Sequence, residues 1–458
     1  MLQFRHVQEL RRAGRALRRR GAWARGRPPG SASVNQRVVR RSGGDLDVVL
    51  AAAAIALVGF GVVMVYSSSV IEATTVYRNA QHFLIRQAIF GAAAIAVMLI
   101  VSSFDYHRLR RLAYPVLGGV TLLLVLSVIG LGHTGGGAAR WLKLGPIQVQ
   151  PSEAAKLALI VWLAYSLEKK RELVKTFSIG MLPHFLVAGL LMGLCLMQPD
   201  FGGAVVLLFL TFTLLFVAGA RLGYLLGVLI VGAVGAAWAV RFTSYRYLRW
   251  LAWLDMSQHR ADLAYQPYQS VLSFGSGELG GMGLGSGLQV LYLPESHTDF
   301  ISAIIGEELG FVGILGLVAV YLLIVARGVR AALAARDDYG MYLAFGISAL
   351  FGVQALINLG VAMAMLPTKG LTLPFVSYGG SSLLVSAAAM GVLLSVSRGN
   401  EERIAARPAV AEPARPPEAS ATVMTEAGFA PREAAPDPGG GPAPRRPARP
   451  ARPSEVPV

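Results

Sequence analysis

Pro294-Glu295-Ser296-His297-Thr298-Asp299-Phe300 opens directly onto a long apolar run, Ile301 to Val325, and this junction decides how the chain is read. The run is long enough to cross a bilayer as a helix, which takes about 20 residues. Asp299 stands at its mouth, and Glu307 and Glu308 lie inside it. Ionisable groups at membrane depth are costly and mark ion, proton or substrate paths. Asp299 is therefore read as the reactive centre, and the rest of the chain is weighed against that assignment.

Composition sets the class. Hydrophobic residues make up 54% of the 458 and charged residues 15%, against about 25% charged in soluble domains. Apolar runs of spanning length recur near 47–66, 84–101, 113–131, 153–167, 180–197, 203–219, 222–240, 300–325, 341–365 and 374–396. The expected fold is all-α, a polytopic membrane protein of about ten transmembrane helices. A large extracytoplasmic loop, 241–299, separates helices seven and eight. The single cysteine, Cys195, excludes an internal disulfide. The net charge of +16 sits largely in the two tails and does not imply nucleic acid. Residues 1–46 read as a basic, disordered cytoplasmic extension beside anionic headgroups. Residues 47–397 form the membrane domain, and the Pro/Ala/Arg-rich stretch 398–458 is too poor in apolar surface to fold.

Short-loop charge gives the orientation. With the arginine-rich N-terminus inside, the inner connections carry His107-Arg108-Leu109-Arg110-Arg111, Glu168-Lys169-Lys170-Arg171, Arg221 and the stretch from Arg327 to Arg336. An even number of spans places both termini inside and Asp299 outside.

The long outer loop holds Tyr245-Arg246-Tyr247-Leu248-Arg249-Trp250 and a glycine run from Gly275 to Gly285. Arginines outside run against the usual charge bias. Arg246 and Arg249 are either an interfacial belt or a fork for phosphate. Gly275, Gly277 and Gly280 match G-x-G-x-x-G, but a dinucleotide site needs a strand before it and a βαβ unit around it. The glycines instead suit a tight re-entrant or surface path. A second polar cluster, Arg140-Trp141-Leu142-Lys143 with Gln150-Pro151-Ser152-Glu153-Ala154-Ala155-Lys156, opens the fourth span. Pro151 suits a first helical turn. Glu153 and Lys156 share one face, so a structural ion pair is the plainer reading and direct chemistry the other. Asp200 opens the sixth span, and Gln354 with Asn358 suits hydrogen bonding between helices.

Other chemistries lack their motifs. There is no G-x-x-x-x-G-K-[ST] loop, so no nucleotide is expected, and no H-E-x-x-H. No nucleophile elbow surrounds Ser381-Ser382. His297 and Asp299 make at most a partial metal site.

The runs Gln150-Pro151-Ser152-Glu153, Gln198-Pro199-Asp200, Pro294 to Ile301, Gly306-Glu307-Glu308-Leu309-Gly310 and Leu366 to Ser382 together resemble the SEDS family of FtsW, RodA and SpoVE. The resemblance covers roughly Asp47 to Arg398, and Thr368-Lys369-Gly370 is more similar to the FtsW branch than to RodA. Position 302 is Ser where many relatives have Phe. The resemblance implies a peptidoglycan glycosyltransferase that polymerises lipid II at the outer face of the cytoplasmic membrane during division. It implies a class B penicillin-binding protein and other division proteins as partners. It also implies an essential acid at Asp299 and important roles for Glu153 and Lys156.

A base must take the proton of the attacking hydroxyl, and positive charge must stabilise the leaving pyrophosphate. Asp299 is the candidate base. Arg140, Lys143, Arg246, Arg249, His297 and Lys369 are candidates for substrate or pyrophosphate. Asp200, Glu307 and Glu308 are supporting polar groups. A divalent cation, Mg or Mn, is a candidate cofactor, with Asp299 as its ligand instead of a base. A lipid II flippase and a non-catalytic division scaffold are the competing readings.

Overall fold

The computed structural model describes residues 46–405, apart from positions 132, 136–137, 145–146, 243 and 369. The basic extension before Leu46 and the tail beyond Ala405 lie outside the described residues. The described helices are α1 (Val48–Tyr77), α2 (His82–Ser103), α3 (His107–Leu126), α4 (Pro151–Lys169), α5 (Leu182–Met197), α6 (Phe201–Val217), α7 (Leu222–Arg241), α8 (Ser244–Leu254), α9 (Tyr265–Gly277), α10 (Ile301–Leu333), α11 (Asp338–Ala362) and α12 (Gly380–Ala405). Seven of them, α1, α2, α3, α5, α10, α11 and α12, are long and apolar enough to cross a membrane. The shorter apolar helices α6 and α7 and the mostly buried α4 complete the expected ten. The polytopic all-α reading holds.

Local chemistry explains where these helices begin. Pro151 is the first residue of α4, where its missing N–H has no helical partner to lose. Asp47, Asp200 and Asp337 cap α1, α6 and α11 by accepting from Leu50 N (3.0 Å), Gly203 N (2.8 Å) and Gly340 N (2.8 Å). α1 runs well past its expected end at 66. Ser68, Ser69, Thr74 and Thr75 return their hydroxyls to carbonyls four residues earlier, so polar residues continue the helix. α12 likewise continues to Ala405, past the expected boundary at 397.

α4, α11 and α12 form the buried centre, with Leu159, Leu163, Tyr339, Phe351, Met390 and Leu393 inaccessible or nearly so. α2 packs along α12, α1 on α2 and α10, and α10 along α11. α7 exposes Ile230, Val231, Val234 and Trp238. Apolar side chains on such a face suit lipid and not water.

At one end of the bundle a polar network joins α3, α4 and α11. His107 Nε2 lies 2.9 Å from Asp337 and Nδ1 2.6 Å from Asp105, and Arg110 pairs with both Glu168 and Asp337. These are the basic connections expected inside, and their charge is partly neutralised by acids that close the helix ends.

The connection before α4 holds a small antiparallel sheet of β1 (His133–Gly135), β2 (Ala138–Leu144) and β3 (Ile147–Val149), with β2 central. Lys143 sits opposite Gln148 in the β2–β3 register.

The long loop between α7 and α10 is structured. It contains α8, α9 and a 3-10 turn at Gln289–Leu291. Trp253 Nε1 donates to Ala364 O (2.9 Å) and Ser270 Oγ to Ala362 O (2.6 Å), so the loop is fastened over the end of α11. Its glycine run lies against a break in α10. Gly310 takes φ 65°, ψ −162° there, a conformation open to glycine and strained for other residues. Met282 N and Gly283 N donate to Glu307 O and Glu308 O (3.0 Å each). Phe311 N donates to Glu278 O (2.9 Å) and Val312 N to Leu279 O (3.2 Å). The loop thus takes over the hydrogen bonds the helix gives up, which apolar surroundings require.

Gly277 touches the same break, where an added Cβ would stand 1.9 Å from Gly306 O. Gly277→Ala is expected to destabilise the fold by about 3 kcal/mol, the upper end for overpacking. A thermal-unfolding midpoint in detergent equal to that of the parent chain would contradict this packing.

Candidate functional site

The segment from Leu293 to Phe300 enters the bundle as a compact turn. Glu295 carries the strained left-handed backbone (φ 59°). Its carbonyl accepts from Thr298 N and Phe300 N (3.2 Å each), and its carboxylate from Thr298 Oγ1 (2.7 Å). Leu293 and Phe300 are buried at either end, and Asp299 is half-buried between them and the solvent-facing rim.

Three elements hold the main chain of this turn. Tyr378 N donates to His297 O (2.9 Å), and Ser377 Oγ to Thr298 O (2.6 Å). Asn358 Nδ2 on α11 donates to Asp299 O (2.9 Å) and to Leu371 O (2.7 Å). Ser302 Oγ donates to Asn358 Oδ1 (2.9 Å) and so fixes the amide's orientation. The serine at position 302 therefore has a structural task. Asn358 fulfils the expected role of a polar bridge between helices, and it reaches the Asp299 segment itself. From the other side Ser296 Oγ donates to Ser68 O on α1 (3.0 Å).

His297 is buried between Phe83 and Tyr378, with ring centroids 4.8 and 5.5 Å away. Its Nδ1 lies 3.6 Å from the half-exposed Glu72 carboxylate at the far end of α1. Burial pushes the imidazole below the ordinary histidine range, and Glu72 and Glu295 oppose that shift. A depressed folded-state pKa means the unfolded chain binds the proton first. The contribution of His297 to stability is complete above about pH 6.5, the ordinary histidine value. It is lost as pH falls from there through the depressed folded value. A His297→Gln chain is expected to lose less stability on acidification through that window than the parent, read as the pH dependence of thermal unfolding. Equal slopes would remove His297 from the balance.

Glu153 and Lys156 form the expected pair, Nζ to Oε1 at 2.6 Å, with only 6% and 1% of the residues accessible. The N-terminus of α4 rests on α12 through Gln150 N, which donates to Ser381 Oγ (3.1 Å). Asp200 is a buried helix cap. Beside it an added Cβ on Gly202 would stand 2.7 Å from Leu371 Cγ and 3.3 Å from Gly370 O. The start of α6 thus packs against the Gly370–Leu371 segment, whose Leu371 carbonyl accepts from the same Asn358 amide that holds Asp299 O. Glu307 and Glu308 are fully buried at the break in α10.

The cations are less defined. Lys143 is exposed on β2. Arg140 lies on β2 and Arg246 and Arg249 on α8, with side chains outside the described residues, as is the whole of Lys369. Among the described residues no three His, Cys, Asp or Glu side chains converge as a metal-binding group. Sequence reasoning passed over Glu72, Ser68 and Ser377. A run of three serines, Ser67-Ser68-Ser69, inside an otherwise apolar helix was the available signal.

Such a fold and site define a multi-pass helical membrane protein whose polar centre is a clamped acidic turn at the mouth of one long helix. The chain belongs to the cell cycle protein family that takes in FtsW, RodA and SpoVE, whose pattern matches residues 48–402. It is 45% identical over 353 residues to the probable peptidoglycan glycosyltransferase FtsW of Geobacter metallireducens, covering 77% of this chain and 94% of that one. With the protein of the same description from Idiomarina loihiensis it shares 40% over 365 residues, 79% of this chain and 88% of that one.

Among solved structures it is similar to a chain from work on the structural coordination of polymerization and crosslinking by a peptidoglycan synthase complex. The TM-score is 0.65 at 32% identity, with 78% of this chain and 98% of that chain covered. It is also similar to the rod shape determining protein RodA of Thermus thermophilus, with TM-score 0.59, 32% identity, and 78% and 97% covered.

Proposed function

We propose that this chain is a peptidoglycan glycosyltransferase that polymerises lipid II into β-1,4 glycan strands with Asp299 as its base. The observation that carries the reading is the Asp299 turn. Its main chain is held by Tyr378, Ser377 and Asn358, while the acid itself stays half-buried at the rim. A general base needs a fixed position and access to the proton it removes. Family membership and the peptidoglycan glycosyltransferases to which the chain is similar agree with this chemistry.

In the step proposed, the C4 hydroxyl of one sugar attacks the anomeric carbon of another. Its proton passes to Asp299, the bond from the anomeric carbon to the pyrophosphate oxygen breaks, and undecaprenyl pyrophosphate leaves. One displacement turns an α-linked donor into a β-linked product. Arg140, Lys143, Arg246, Arg249 and Lys369 supply the candidate charges for the pyrophosphate. The alternative to Asp299 as base is Asp299 as ligand of a divalent cation, since Mg²⁺ is commonly held by one or two carboxylates together with substrate phosphates. Asp299 would be its protein ligand, and the ion would share the pyrophosphate charge.

The working setting is the outer face of the cytoplasmic membrane at the division site, with both termini cytoplasmic and a class B penicillin-binding protein as partner. The test is to feed labelled lipid II to the purified chain, with and without that partner and with Mg²⁺ or Mn²⁺. Glycan polymer is the expected product. Absence of polymer under every condition, with translocation of lipid II in vesicles, would replace the transferase by a transporter.

A further inference from the structure

We infer that Glu307 is a positioning residue for the Asp299 turn, acting through hydrogen-bond reach and not as a carrier of protons or ions. The inference rests on the proposed role of Asp299. Glu307 lies two helical turns into α10, where a buried acid first suggests a path through the membrane. Its neighbours are those of a clamp. Leu288 N and Gln289 N both donate to Glu307 Oε1, at 2.8 and 3.1 Å, and Gln289 N approaches Oε2 at 3.3 Å.

Those two amides open the 3-10 turn whose next residues lead to Leu293 and Asp299. Tyr292 N and Leu293 N donate back to Gln289 O (3.0 and 2.8 Å), so the turn transmits the position of residue 289 to residue 293. The far end of the same segment is fixed by Asn358, Ser377 and Tyr378. Glu307 is thus the anchor at the near end.

A second strap runs in parallel. Ser67 Oγ lies 2.6 and 2.7 Å from the two Glu308 oxygens and accepts from Gly285 N (3.1 Å), while Ser68 O accepts from Ser296. The main-chain carbonyls of both glutamates hold Met282 and Gly283. Gly287 passes so close that an added Cβ would stand 3.0 Å from Glu307 Oε2. Backbone N–H groups therefore occupy the Glu307 carboxylate, on the side of the loop that leads to Asp299.

Two conservative variants separate reach from charge. Glu307→Gln keeps the oxygen that receives both shorter bonds and loses the ionisable group. Glu307→Asp keeps the ionisable group and withdraws it by one methylene. Glu307→Gln is expected to polymerise lipid II within about 3-fold of the parent. Glu307→Asp is expected to lose kcat by about 100-fold with KM for lipid II unchanged, the size of loss produced by a misplacement of about 1 Å.

Hydrogen exchange at Leu288 and Gln289 gives a readout independent of turnover, faster in Glu307→Asp and unchanged in Glu307→Gln. The opposite activity order, equal activity, or inactivation of both variants would each overturn the inference. A parent chain that makes no polymer would defeat the proposed function instead, and the exchange arm would still decide whether Glu307 clamps the turn.

Discussion

Asp299→Asn is expected to lower glycan polymerisation by about 10²–10⁴-fold, the range of a lost general base, in a chain that remains folded. The substitution keeps the size of the side chain and removes its ability to accept a proton. Neighbouring elements hold the turn by its main-chain carbonyls. Asn358 donates to Asp299 O, Ser377 to Thr298 O, and Tyr378 N to His297 O. None of those acceptors changes, so the variant is expected to keep its fold, read as a cooperative unfolding transition in detergent. Parent-level chain growth by this variant would remove Asp299 both as base and as cation ligand. Loss of activity together with a large loss of stability would mean that the acid holds the turn and does not act in the reaction.

Breaking the Glu153–Lys156 pair is the second large effect. Glu153→Ala leaves the Lys156 ammonium without its 2.6 Å partner at a site where the lysine is 1% exposed. Removing one member of a buried pair costs about 3–5 kcal/mol, whereas replacing both members by apolar groups of similar volume is often neutral. Glu153→Met combined with Lys156→Met is therefore expected to recover most of the stability lost in Glu153→Ala. The comparison is made by thermal unfolding in detergent. If the double variant folds stably but makes no polymer, the pair also serves the reaction. A Glu153→Ala chain as stable as the parent would mean that Lys156 has found another partner.

Much of the fold is legible in the sequence. Ten apolar runs marked the helices, Pro151 marked the start of α4, and the spacing of Glu153 and Lys156 placed them on one face. Helix ends were less legible. Hydropathy ends a span at its first polar residues, while serine and threonine hydroxyls satisfied by the preceding turn carry α1 on to Tyr77. The three-strand sheet before α4 is not legible in the sequence because its strands are short and lie among glycines. Nothing in the glycine run from Gly275 to Gly285 announces that it repairs a broken helix.

The site divides along the same line. The sequence by itself determined that this is a polytopic membrane protein, which family it belongs to, and that Asp299, Glu307 and Glu308 are acids where acids are expensive. Those conclusions depend on residue identity and on spacing along one helix, which a linear string records. Only the tertiary structure decided what surrounds each acid. It brought Asn358 and Ser377 onto the carbonyls of the Asp299 turn, set Glu72 beside His297, and aimed Glu307 at the amides of Leu288 and Gln289. Several of these partners are far apart in sequence and meet only where helices cross. A hydrogen bond depends on distances of a few ångströms and on direction, and helix packing supplies both.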